Sequence, residues 1–396
     1  MIIQPKIRGF ICTTAHPVGC AASVQAQIQV VKDKGVFKGP KRVLVIGAST
    51  GYGLASRIAA TFGAGAATIG VFFEKEADDK RTASPGWYNS AAFEVAAHAD
   101  GHYAKSFNGD AFSDAMKQQV IEQIRQDWGK VDMVVYSLAS PRRTLPDSGD
   151  TVSSVLKPIG QTFHGRTVDA FRGEVKDVSI EPATPEEIEH TVSVMGGDDW
   201  ERWINQLAAA DVLADGVITV AYSYLGPKLT HAIYKDGTIG RAKAHLKATA
   251  DRLQQALAPL HGQAVVSVDK AVVTQASAAI PVVPLYIAIL FKLMKAKGTH
   301  EGCIEQIDRL FREHLYTAHP KPRDEEGYIR IDDLEMDATL QHDIETIWPN
   351  VTTENLAELT DVAGYCDDFY RLFGFNMAGV NYEQAVDPNV SIPSLR

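Results

Sequence analysis

Tyr234 and Lys243 are separated by eight residues in the stretch Tyr222-Ser-Tyr224-Leu-Gly-Pro-Lys-Leu-Thr-His-Ala-Ile-Tyr234-Lys-Asp-Gly-Thr-Ile-Gly-Arg-Ala-Lys243. A phenol can give a proton or a hydrogen bond to a carbonyl oxygen that becomes an enolate. A nearby ammonium can steady that phenol while bonding the ribose of a nicotinamide cofactor. The chemistry is hydride transfer. With 13 tyrosines in the chain some Tyr/Lys pair is inevitable, so this one acquires meaning only beside a second signal. That signal is Gly47-Ala-Ser49-Thr50-Gly51-Tyr52-Gly53, directly after the apolar run Arg42-Val-Leu-Val-Ile46 and directly before an Ala-rich helical stretch. Strand, glycine turn and helix in that order suit a pyrophosphate. Glycine lets the backbone turn tightly and approach the phosphates, and the helix start offers N–H donors and the positive end of its dipole. A merely structural turn is the alternative.

Further residues fall where such a cofactor needs them. Glu74 ends the second apolar run 27 positions after Gly47, near the roughly 20-residue offset of an acid that bonds the adenosine ribose hydroxyls. A carboxylate there repels a 2′-phosphate and favours NADH over NADPH; a solvated pair with Lys75 is the bland alternative. Asp110 could accept from the adenine amine or cap the next helix. Leu138 and Ala139, at the end of the fourth run, lie where the chain passes beside the cofactor.

The elements that position these groups follow from the alternation of short β-branched runs with helical stretches, which argues for parallel βαβ units. Strands are expected at 42–46, 67–73, 102–107, 131–136, 217–222 and 264–268, with a strand-like segment at 328–331. Helices are expected at 54–62, 90–99, 113–128, 185–195, 198–213, 240–260, from Val282 and at 302–316. The fold class is α/β, a Rossmann-type doubly wound parallel sheet with insertions and a C-terminal helical extension. One large domain over 1–396 is expected: a dinucleotide-binding core at 40–140, an insertion over the active site at 141–215, the Tyr/Lys segment and a lid helix at 216–300, and the extension at 301–396.

Composition bounds the function. The 396 residues are 45% hydrophobic and 22% charged, enough to bury a large core. The net charge of −10 argues against nucleic acid or an anionic membrane as partner. Cys12, Cys20, Cys303 and Cys366 form no C-x-x-C pair and suit a reducing compartment. The N-terminus lacks a secretory pattern, and no apolar stretch reaches a membrane span, so a cytoplasmic protein is expected. Val282 to Met294 comes nearest to one, but it contains Pro284 and Lys292 and reads as a buried helix or apolar wall. No metal is expected, because the histidines form no H-E-x-x-H pattern.

With the glycine turn, the order of elements and the Tyr-x8-Lys spacing, the chain resembles the trans-2-enoyl reductases. These are the bacterial V-type enoyl-acyl-carrier-protein reductases and their trans-2-enoyl-CoA reductase relatives, an enlarged branch of the short-chain dehydrogenase/reductase superfamily. Ordinary members of that superfamily carry Tyr-x3-Lys and the smaller enoyl reductases Tyr-x6-Lys. Gly70-Val-Phe-Phe-Glu74-Lys, Tyr136-Ser-Leu-Ala-Ser-Pro141, Asp236-Gly-Thr-Ile-Gly240 and Val273-Thr-Gln-Ala-Ser-Ala-Ala-Ile-Pro281 are similar too. The resemblance implies Tyr234 as proton donor or enolate stabiliser, Lys243 as its partner and ribose ligand, and Tyr224 as a second phenol facing the thioester, with Tyr222 as its rival. It implies that the loop with Thr274, Ala276 and Ile280, and the helix after it, cover the cofactor and border an acyl channel.

The implied reaction is NADH-dependent reduction of the C2=C3 bond of a trans-2-enoyl thioester in fatty acid synthesis. A carbonyl reductase of the same superfamily and a non-catalytic NADH sensor are the competing readings. The carrier stays open between acyl-carrier protein and coenzyme A. An acidic carrier protein would need a local basic patch, for which Arg142, Arg143, Lys292, Lys295 and Lys297 are candidates. A monomer is expected, and a further ligand site in the C-terminal third, such as one for a flavin, is left open.

Overall fold

The computed structural model describes residues 1–8, 11–138, 140–278 and 280–395. After a short antiparallel pair, Ile7–Arg8 with Ile11–Cys12, comes helix α1 (Pro17–Asp33), with His16 as its cap and Cys20, Val24, Ile28 and Val31 as its buried stripe. The spacing of that stripe is helical, yet no element was expected there. The first βαβ units follow as β1 (Arg42–Ile46), α2 (Gly51–Ile58), β2 (Ala67–Phe72), α3 (Pro85–Ala99), β3 (Ala104–Asn108), α4 (Asp114–Asp127) and β4 (Val131–Tyr136). The chain then leaves the sheet for an antiparallel hairpin, β5 (Phe163–Asp169) and β6 (Glu174–Ile180), and for helices α5 (Pro185–Met195) and α6 (Asp198–Ala209). It returns as β7 (Leu213–Ser223), α7 (Thr238–Ala256), β8 (Gln263–Val268), α8 (Val283–Lys297), α9 (Cys303–Leu310), β9 (Ile329–Arg330), α10 (Ala338–Ile347) and α11 (Val362–Arg371).

The seven-stranded sheet has the order β9-β8-β7-β4-β1-β2-β3, with every neighbouring pair parallel. Strands covered on both faces read as unbroken apolar runs, and Val43 to Ile46 are all fully buried. One face is covered by α1, α2, α3, α8, α9 and α11, the other by α4, α6 and α7. The strand order reverses between β1 and β4, so a crevice opens at their carboxyl ends, where ligands of such sheets bind.

Several boundaries differ from expectation for local reasons. Helix α3 starts at Pro85 rather than Ser90, since proline suits a first helical turn. The helix expected to reach Leu213 stops at Ala209 because Asp211 takes a positive φ of 56°. Strand β7 starts early, at Leu213, through a register shift before Ile218. Helix α7 ends at Ala256, and Pro259 closes the following 3₁₀ turn.

Helix α8 is apolar all round and buried along Val283 to Phe291, as such a helix must be. Among the described residues no helix is long and apolar enough to cross a membrane.

The insertion is fastened to the sheet by buried charge. Lys117 in α4 donates to Asp199 in α6 at 2.8 Å, Tyr136 donates to the same carboxylate at 3.2 Å, and the Arg143 guanidinium lies 3.8 Å from it.

Candidate active site

At β1 the chain meets the crevice through the glycine turn. Gly47 has φ +87°, and a Cβ there would fall 2.2 Å from the Ser137 carbonyl oxygen, so only glycine fits between β1 and the end of β4. Gly51, with φ +53°, opens α2 and has nothing within 4 Å of its Cβ position. The Thr50 side chain does not cap α2, so it leaves the first N–H groups of that helix without a side-chain partner from the cap. Tyr52 and Gly53 lie within the first turn of α2. These features fit a dinucleotide pyrophosphate.

Glu74 is held in place rather than solvated beside Lys75. Its Oε1 accepts from the Ser49 hydroxyl at 2.7 Å, and its backbone pairs in both directions with the Asn108 side chain. Burial raises its pKa and the Ser49 hydrogen bond opposes that. The glycine turn and this carboxylate are thus bound to each other through Ser49. Asp110 does not cap α4: Ser113 does, accepting from the Met116 N–H, while Asp110 Oδ1 accepts from the Phe112 N–H at 2.9 Å. Leu138 is half-buried just beyond β4. Ala139 lies outside the described residues, as does the side chain of Ala276.

The phenols come from the end of β7. Tyr222 and Tyr224 part company there. The Tyr222 hydroxyl lies 2.6 Å from Ser56 Oγ in α2, with its ring 5.7 Å from that of Tyr52. Tyr224 instead meets Tyr234 edge-on, with ring centroids 5.1 Å apart. Tyr234 is fixed by its loop: its N–H donates to the Thr230 carbonyl at 2.9 Å, and its own carbonyl accepts from Gly240 at 3.0 Å. Lys243 extends from the start of α7, and its Nζ donates to the Tyr222 carbonyl at 3.1 Å.

Burial sets the proton states. It pushes the Tyr234 phenol well above its ordinary range, and it does the same to Tyr224, helped by the Glu335 carboxylate. Both phenols therefore stay protonated, as hydrogen-bond donors, at neutral pH. Burial of the Lys243 ammonium pulls it down to about 8, opposed by the Asp269 charge.

The loop after β8 completes the site. Thr274 and Ser277 exchange bonds, with Ser277 Oγ accepting from Thr274 N at 2.8 Å and Thr274 Oγ1 from Ser277 N at 3.0 Å. Ile280 is buried beyond them. Tyr52 ties the glycine turn to this loop, its hydroxyl donating to the Lys270 carbonyl at 2.7 Å and lying 3.2 Å from Gln306 Oε1.

Sequence reasoning missed Asp269, Lys270, Gln306 and Glu335. None belongs to a local motif, and Glu335 reaches Tyr224 across 111 positions. No cluster of His, Cys, Asp and Glu that could hold a metal occurs among the described residues. Cys303 is a thiol pushed up to about 12 by burial.

The basic patch expected for a carrier protein is largely absorbed. Arg143 is 5% exposed and donates to the Ser193 carbonyl, Lys295 pairs with Asp361 at 2.6 Å, and Lys292 donates to the Glu358 carbonyl.

Comparison with known proteins agrees with this geometry. Residues 81–316 match the family model described as the trans-2-enoyl-CoA reductase catalytic region, and residues 2–79 match the NAD(P)H binding domain of trans-2-enoyl-CoA reductase. The chain belongs to the trans-2-enoyl-CoA reductase family. A relative from Coxiella burnetii named enoyl-[acyl-carrier-protein] reductase [NADH] is 60% identical, over 100% of this chain and 98% of its own. One of the same name from Flavobacterium johnsoniae is 58% identical over 100% of both. The crystal structure of Treponema denticola trans-2-enoyl-CoA reductase in complex with NAD superposes with a TM-score of 0.94 at 53% identity, covering 98% of each chain. The Clostridium acetobutulicum trans-2-enoyl-CoA reductase with NADH gives a TM-score of 0.96 at 44% identity, again over 98% of each chain.

Residues 323–386 match a model described as an enoyl reductase FAD binding domain. The residues present in this trans-2-enoyl-CoA reductase family member do not fit a flavin. Behind β9 the chain runs into Asp332, Asp333 and Glu335, and this run of acids offers a pyrophosphate no donor side chain. Asp332 is already paired with Arg330 at 2.6 Å, and Tyr365 and Phe369 of α11 are buried in the core.

Proposed function

We propose that this chain reduces the C2=C3 double bond of trans-2-enoyl thioesters with NADH, in fatty acid synthesis. The observation that carries the reading is the pair of protonated phenols, Tyr224 and Tyr234, 5.1 Å apart beside the carboxyl ends of the strands that hold the glycine turn. NADH would be held by the 47–53 turn, Glu74, Asp110, Leu138, Ala139, Lys243 and Thr274. When bound there it supplies a hydride to C3 of the substrate.

The chain's own groups deal with the charge that then gathers on the thioester oxygen. The Tyr234 hydroxyl donates a hydrogen bond to that oxygen, and Tyr224 borders the thioester from the other side. A donor aimed at developing charge in a dry site is worth far more than the same donor in water, because it needs no reorganisation. The Lys243 ammonium keeps the electrostatic balance in favour of the enolate and bonds the nicotinamide ribose. Ile280 lines the acyl side. Glu74 accepts from the ribose hydroxyls and rejects a 2′-phosphate.

The names of the Coxiella and Flavobacterium relatives support acyl-carrier protein as the physiological carrier, with coenzyme A thioesters as working substrates. We further propose a cytoplasmic monomer, a reading supported by the burial of α8 within its own chain. The proposed division of labour is a cofactor core at 40–140, a cover at 141–215, catalytic and lid residues at 216–300 and a supporting extension at 301–396.

The test is loss of NADH absorbance with crotonyl-CoA, beside a simple ketone and beside Tyr234→Phe. Turnover on the thioester alone, lost in the variant, is the expected result. Turnover on the ketone alone would make the chain a carbonyl reductase. NADH binding without turnover on either would make it a sensor.

A further inference from the structure

The turn behind β9 brings one more ionisable side chain to this site. Glu335 is fully buried. Its Oε1 accepts from the Tyr224 hydroxyl at 3.0 Å and from the Tyr286 hydroxyl at 2.6 Å, and its Oε2 accepts from the Ala271 N–H at 2.7 Å. Three separate segments therefore converge on one carboxyl: the end of β7, helix α8 and the loop after β8. Gln341 locks the arrangement from α10, donating to the Tyr286 hydroxyl oxygen at 3.1 Å and to the Glu335 carbonyl at 2.7 Å.

Core packing alone does not call for this arrangement. A buried carboxyl is expensive unless every polar atom is met, and here both oxygens are met by donors from three other segments. What the carboxyl adds is a fixed place for the Tyr224 hydroxyl, whose ring faces Tyr234 at 5.1 Å. A phenol held by a buried partner enters the reaction already oriented, and such preorganisation contributes to rate rather than to binding. The bond to Ala271 ties the strand-end loop that leads to Thr274 into the same unit.

We propose that Glu335 is the positioning residue for Tyr224 in the reductase reaction, and that this is the contribution of the C-terminal extension to catalysis. The proposal rests on the reading of Tyr224 as a phenol that faces the substrate. Glu335 acts through Tyr224 and the Ala271 loop, and its three hydrogen bonds leave it no part in touching substrate.

The experiment is a double-mutant cycle: wild type, Glu335→Gln, Tyr224→Phe and the double variant, assayed with NADH and crotonyl-CoA. NADH affinity is measured by fluorescence and folding by thermal melting. Glu335→Gln is isosteric but has a single acceptor oxygen for three donors, so it keeps either the two phenol bonds or the Ala271 bond and loses the other. Its kcat should fall about tenfold, the rate equivalent of one lost hydrogen bond to a charged group. The KM for NADH should stay within about twofold, and the double variant should be no slower than Tyr224→Phe alone.

Losses that multiply in the double variant would mean that Glu335 is merely structural and would overturn the proposal. So would an unchanged kcat in Glu335→Gln. Should Glu335→Gln fail to fold, Glu335→Asp, which keeps the charge but withdraws it by one methylene, is run through the same cycle with the same criteria. A wild type with no turnover would remove the reductase reading itself and this proposal with it. Turnover with multiplicative losses would remove the proposal alone.

Discussion

Replacing Lys243 by Met should abolish reduction and at the same time make the protein more stable. The ammonium titrates near 8 instead of 10.5 because burial disfavours its charged form. At neutral pH it is charged in both folded and unfolded chains, and its desolvation then costs folding about 3 kcal/mol. Methionine removes that cost but also the hydrogen bond to the Tyr222 carbonyl, worth about 1 kcal/mol. The residue keeps some exposure, which lowers the net gain to about 1–2 kcal/mol. Over 396 residues the unfolding entropy turns this into a rise in Tm of about 1–3 °C.

The sign with pH is distinctive. Between the folded value of about 8 and the unfolded 10.5 the unfolded chain binds more protons, so wild-type stability recovers as pH rises. The advantage of Lys243→Met is therefore full below about pH 8 and shrinks towards zero above it. Calorimetry of the cofactor-free proteins at neutral pH and about two pH units higher reads both terms. A variant less stable than wild type at neutral pH, or a gain that grows with pH, would refute the reasoning.

Other consequences are sharper in sign than in size. Glu74→Ala should weaken NADH binding about tenfold, through loss of the ribose hydrogen bonds, and let NADPH compete; fluorescence titration with both cofactors reads it, and an unchanged preference would count against the role of Glu74. Gly51→Val places a branched side chain at φ +53° in the open space above α2, so NADH binding should be lost while backbone strain costs only about 1–2 kcal/mol in a melting experiment. Lys117→Met leaves Asp199 buried without its closest cation and should destabilise by about 3–5 kcal/mol in urea unfolding. That is the opposite sign to Lys243→Met, although both remove a lysine whose charge is disfavoured by burial.

The difference between those two lysines shows what could be read in the sequence. Lys243 was legible because its Tyr-x8-Lys spacing resembles that of the trans-2-enoyl reductases, and the glycine turn was legible because a strand and a helix flank it. Lys117 was invisible: its partner Asp199 lies in the insertion, and nothing in either local sequence points to the other. Glu335 was hidden for the same reason. Long-range side-chain pairs are set by packing, and packing leaves no periodic trace. Helix boundaries failed where a single backbone angle decides them, as at Asp211, and α1 went unassigned although its stripe from Cys20 to Val31 is regular. The choice between Tyr222 and Tyr224 could not be made from spacing, because both stand at the end of one strand, Tyr222 inside it and Tyr224 just past Ser223. In the folded chain their hydroxyls find different partners, Ser56 and Glu335.

The most direct test of the central claim is the fate of the transferred hydrogen. Crotonyl-CoA is reduced with NADH carrying deuterium at the transferring nicotinamide carbon, and the product is analysed by NMR. The account predicts deuterium at C3 of the butyryl chain, with a solvent proton at C2, in a reaction that Tyr234→Phe suppresses. Deuterium at C2 or on the thioester carbon, or full turnover in Tyr234→Phe, would contradict it.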